Sequence, residues 1–73
     1  MIDIILENFE NNCLIEISKE GFTTTTFLLI EDVVYFRNRE ITGKRFEKHP
    51  ATKEEIKEHI KKLYKENFEI RLV

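Results

Sequence analysis

The stretch Phe27-Leu28-Leu29-Ile30-Glu31-Asp32-Val33-Val34-Tyr35-Phe36 decides how this chain folds. Two apolar runs of four residues flank an acidic pair. Each run is too short for a stable helix, and the β-branched and aromatic residues suit a pleated sheet. Neighbouring side chains of a strand point to opposite faces, so both runs are apolar above and below the sheet. Glu31-Asp32 is the expected reversal between them, although it lacks the Asn-Gly or Asp-Gly that two-residue hairpins prefer. Pairing across it sets Ile30 against Val33, Leu28 against Tyr35 and Thr26 against Arg37 on one face. Leu29 with Val34 and Phe27 with Phe36 share the other, and the aromatic pair makes that face the better core. Leu28, Ile30, Val33 and Tyr35 remain as an apolar centre, edged by Thr24, Thr26, Arg37 and Arg39. That is the composition of an interface. A slip of one residue in register would exchange the two faces.

The neighbouring segments extend the sheet. Ile2 to Glu7 reads as a first strand, with Ile2, Ile4 and Leu6 on one side and Asp3 and Glu7 on the other. Asn8 to Asn12 has the clustered asparagines of a turn, and Cys13 to Lys19 returns as a second strand, closing a hairpin. Glu20-Gly21 turns into a third strand, Phe22 to Ile30, whose Thr23-Thr24-Thr25-Thr26 run reflects strand propensity. The fourth is Val33 to Arg37. Ile41 to Phe46 reads as a short fifth strand interrupted at Gly43.

One strong helical pattern follows, from Thr52 to about Asn67. Thr52 and Glu55 have the spacing of a capping box, in which each side chain satisfies a backbone N–H of the first turn. Ile56, Ile60, Leu63 and Tyr64 form one apolar stripe, and Lys61, Lys62 and Lys65 gather where the helix dipole favours positive charge. Phe68 to Val73 alternates as a closing strand. The expected architecture is α+β: a small, mostly antiparallel sheet of four to six strands, order ββββ(β)αβ, with one helix packed on one face. One helix covers one face only. The sheet must curl so that its second face closes on Ile5, Leu14 and the N-terminal hairpin, or another chain must cover it.

The 73 residues make a single domain, 1–73. Folding at this length buries only about 60% of the chain's surface. Cys13 is the only cysteine, so no internal disulfide can compensate, and a reducing, cytoplasmic setting is expected. Met1-Ile2-Asp3 has no basic leader, and no apolar run approaches the roughly 18 residues of a membrane span. The bias towards Ile, Lys, Glu, Asn and Phe suits an AT-rich genome such as that of a low-GC bacterium or a phage.

Charge is unevenly distributed. Met1 to Phe36 carries seven carboxylates against Lys19 alone, whereas Arg37 to Lys65 carries ten Lys and Arg against five Glu. Arg37, Arg39, Lys44, Arg45 and Lys48 form a basic stretch with Tyr35, Phe36 and Phe46 close by. Cations that track phosphates beside aromatics that stack on bases would make a nucleic-acid surface. Glu40, Glu47 and the slightly acidic whole argue instead for a solvated loop over core aromatics.

His49, His59 and Cys13 are the only soft metal ligands, and no two share a metal-site spacing, so neither metal nor cofactor is expected. Cys13 with either histidine is the only nucleophile–base pair, and there is no glycine-rich phosphate loop. Cys13 falls on the apolar side of its strand, where a free thiol behaves as a small hydrophobe. No enzyme is expected. The leading expectation is a small non-enzymatic interaction module that homodimerises, or docks on another protein, through the uncovered sheet face or an edge strand. A regulator or inhibitor of a larger assembly fits that description. A nucleic-acid binder using the basic 37–49 segment is the alternative.

Overall fold

The computed structural model describes residues 1–73. Its centre is the meander formed by β1 (Leu14–Lys19), β2 (Phe22–Ile30) and β3 (Val33–Asn38). The β2–β3 register follows the apolar pattern, with Ile30 opposite Val33, Leu28 opposite Tyr35 and Phe27 opposite Phe36. Glu31 and Asp32 both take positive φ, 48° and 64°. That left-handed pair lets a two-residue hairpin match the twist of its strands. Glu20 and Gly21 do the same between β1 and β2, at 52° and 83°. The β1–β2 ladder shifts register between Ile17 and Ser18, and the Thr24 hydroxyl there donates to the Ile17 carbonyl at 3.1 Å.

Two expected strands are absent or displaced. Residues Ile2–Glu7 form a short helix, α1, and not a strand. Ile2, Ile5, Leu6 and Phe9 stand at i, i+3, i+4 and i+7, a helical stripe. Leu6 and Phe9 join the core, with Ile2 and Ile5 packed against it, while Ile4 is left exposed. The Asn8 side-chain amide donates to the Ile4 carbonyl at 2.8 Å, closing the last turn. The expected N-terminal hairpin therefore does not exist.

The segment Ile41 to Phe46 is a turn rather than a strand. Its place at the sheet edge is taken by the two-residue β4 (Glu47–Lys48), paired with Tyr35 and Phe36. The reason is Asn38. Its carbonyl accepts the N–H groups of Ile41, Thr42 and Gly43, its side-chain oxygen accepts those of Glu40 and Ile41, and its own N–H donates to the Thr42 hydroxyl at 3.0 Å. The backbone polar groups are satisfied inside the loop, leaving few for a ladder. Gly43 completes the turn with φ 65°.

The long helix α2 (Lys53–Lys65) has the capping box read from the sequence. The Glu55 N–H donates to the Thr52 hydroxyl, and the Thr52 N–H to the Glu55 carboxylate. Those bonds hold the Glu55 carboxyl pKa below its ordinary value. The helix stops two residues before Asn67, which takes φ 69°. Phe68 N–H then bonds the Leu63 carbonyl and Asn67 N–H that of Tyr64, a Schellman end. β5 (Glu69–Leu72) pairs with β1. The sheet order is β4-β3-β2-β1-β5, antiparallel throughout.

A single core of Leu6, Phe9, Ile15, Ile17, Phe27, Leu29, Val34, Ile56 and Ile60 lies between one face of the sheet and both helices. No element covers the other face. No helix is long and apolar enough to cross a membrane.

Candidate interaction face and basic groove

The uncovered face follows from the register. Residues Leu14 and Glu16 of β1, Thr26, Leu28 and Ile30 of β2, and Val33, Tyr35 and Arg37 of β3 alternate with the core residues and point away from the helices. Leu14, Leu28, Val33 and Tyr35 are half-buried by their neighbours in the sheet, and Ile30 is 39% exposed. These residues make one apolar strip near the 31–32 turn. Glu16, farther along β1, is held by Arg71 of the adjacent β5. That hydrogen bond and its charge raise the Arg71 pKa above its ordinary value.

At the opposite end of the strands the face becomes basic. Arg37, Arg39 and Lys44 line an open groove of about 550 Å3 with Phe22, Thr24 and Thr26. The hydrogen bonds around Asn38 hold the intervening loop in one conformation, anchored by Thr42, which is 4% exposed. A further bond from the Asn38 amide to the Thr25 hydroxyl, 2.9 Å, ties that loop to β2. The Arg37 guanidinium lies over the Phe46 ring, 4.7 Å from its centroid.

The five basic residues singled out from the sequence therefore separate. Arg37, Arg39 and Lys44 share the groove. Arg45 lies outside it and pairs with Glu47 at 3.2 Å, and Lys48 stands beside Tyr35 in β4. Sequence reading missed Phe22 as a groove residue. Parity along β2 could not reveal it, because the irregularity between Ile17 and Ser18 resets the alternation before Phe22, which pairs with Lys19.

Cys13 is half-buried and packs against the core. His49 packs edge-on against Phe36 (5.1 Å) and Phe27 (6.0 Å), and its Nδ1 accepts the Ala51 N–H at 3.0 Å. Desolvation by burial lowers its pKa below the ordinary value; His59 lowers it further and Glu55 opposes. This histidine organises the entry to α2. His59 is exposed on that helix. No three His, Cys, Asp or Glu side chains stand close enough to hold one metal ion.

No protein-family model, curated protein or solved structure matches this chain.

Proposed function

We propose that this domain is a non-enzymatic protein-interaction module that buries the outer face of its sheet against a second polypeptide chain. The carrying observation is the strip of Leu14, Leu28, Ile30, Val33 and Tyr35, which neither helix covers. Two sheets pack face to face when both inner faces are apolar, with alternate side chains interdigitating. A second copy supplies an identical strip, and a two-fold axis sets the same residues against one another. A homodimer is thus the favoured assembly. Glu16 is already neutralised by Arg71, which reduces the cost of desolvating the β1 side of the face. The unpaired thiol of Cys13 suits a reducing, cytoplasmic setting, and a module of this size suits a regulator or inhibitor of a larger assembly.

Light scattering on gel-filtered protein over a dilution series tests the proposal. The expected mass is that of a dimer at high concentration. Leu28→Asp and Val33→Asp should each give monomers whose helical circular dichroism is unchanged. A wild-type chain that stays monomeric throughout overturns the self-association reading. Dimers that survive both substitutions overturn the assignment of this face.

A further inference from the structure

We infer that the basic groove is a binding site for single-stranded nucleic acid, separate from the apolar strip. Four ion pairs exist in the chain: Arg45–Glu47, Lys53–Asp32, Lys61–Glu58 and Arg71–Glu16. None involves Arg37, Arg39 or Lys44. The only carboxylate lining the groove belongs to Glu16, and Arg71 already engages it. Three cations thus face one concavity uncompensated, in a protein whose net charge is −2. Like charges held together without counter-charge cost stability, so their gathering points to an anionic ligand.

The surroundings specify which anion. Phe22 lines the same groove and is 69% exposed, a free aromatic face on which a base can stack. A cationic track beside a stacking ring is the arrangement that binds single strands. Duplex recognition instead calls for a protruding helix or ribbon that enters a groove of the DNA, and this face is concave. An acidic peptide would meet the cations but leave Phe22 without a planar partner. The loop is also pre-ordered: Asn38 and Thr42 bond one another through N–H, hydroxyl and carbonyl. Arg39 and Lys44 therefore sit beside Arg37 before any ligand arrives, which lowers the ordering cost of binding.

The test is fluorescence anisotropy of a labelled oligothymidylate of about 12 nucleotides, within the range of single-strand site sizes. Binding should weaken with salt along a log–log slope of about −2, as expected for three phosphate contacts on a single strand. Arg39→Glu with Lys44→Glu should reduce affinity at least tenfold. The charge-matched pair Lys62→Glu with Lys65→Glu, exposed on α2, should not. Phe22→Ala should lower affinity by about 5- to 150-fold, the range of one lost stacking contact. The Leu28→Asp variant should bind as wild type, which separates this site from the sheet interface. Absence of binding at low salt overturns the inference, as does equal loss in the two charge-matched pairs. Equal affinity for a duplex or for polyglutamate overturns the choice of ligand.

Discussion

The guanidinium of Arg37 lies 4.7 Å from the centroid of the Phe46 ring. Arg37 belongs to β3, and Phe46 immediately precedes β4, so the contact clasps the edge of the sheet. Replacing Phe46 with Leu keeps bulk and removes the ring. We expect a loss of about 0.5–1 kcal/mol, the usual worth of an exposed cation–π contact, read as a lower urea midpoint. Phe46→Tyr should keep wild-type stability.

The Glu31-Asp32 turn holds two non-glycine residues at positive φ. Left-handed backbone costs an ordinary L-residue roughly 1–2 kcal/mol, and asparagine tolerates it better. Glu31→Asn should therefore stabilise the domain by about 0.5–1 kcal/mol. The measurement is a denaturant melt with an unchanged slope; a lower midpoint would contradict the turn geometry.

Ile60 is fully enclosed, at 0% exposure, whereas Tyr64 one turn later is 42% exposed. Truncating the first leaves a cavity between helix and sheet. Ile60→Ala should cost about 2–5 kcal/mol, enough to leave so small a domain largely unfolded. Tyr64→Ala should change the midpoint much less. Equal effects would mean that the stripe of α2 is rotated from its observed position.

Burial of the His49 imidazole, with His59 nearby, favours its neutral form and lowers its pKa; in that form Nδ1 accepts the Ala51 N–H. The unfolded chain takes up a proton near the ordinary value of about 6.5, while the folded chain does so only at lower pH. Stability is therefore complete above that value and declines as pH falls through it towards the folded pKa. His49→Asn retains an acceptor for the Ala51 N–H and removes the titration. Its melts should be weaker at pH 7 and lack the slope just below pH 6.5. A wild type with flat stability there would refute this linkage.

Much of the fold was legible from residues 27–36 and 52–55. Two apolar runs around a two-residue turn point to the observed register, though runs apolar on both faces do not exclude a one-residue slip, and Thr52 with Glu55 marks one helix start. The N-terminus misled because Ile2, Ile4 and Leu6 satisfy a two-residue period while Ile2, Ile5, Leu6 and Phe9 satisfy the helical one. Over six residues both periods fit. Isoleucine's strand preference tips the reading the wrong way, and only packing under Phe9 decides it. The 38–43 loop was hidden for another reason: its order comes from Asn38 and Thr42 side chains competing with a sheet ladder. The apolar strip was legible only on condition of the register, which the observed pairing of Ile30 with Val33 supplies. The groove was only half legible, since Phe22 and Lys44 are brought together through the turns on either side.

The pairing of β1 with β5 has a kinetic consequence. The Glu16–Arg71 contact spans 55 positions along the chain, whereas β1, β2 and β3 are joined by two-residue turns. Distant pairings must first overcome the entropy of closing the intervening loop. During synthesis the meander can assemble from contiguous chain, but one edge of β1 then stays open until Glu69–Leu72 emerge. Until that moment the nascent domain carries both an unsealed strand and the bare apolar face, and this interval is when it is most exposed to mispairing with a neighbouring nascent copy.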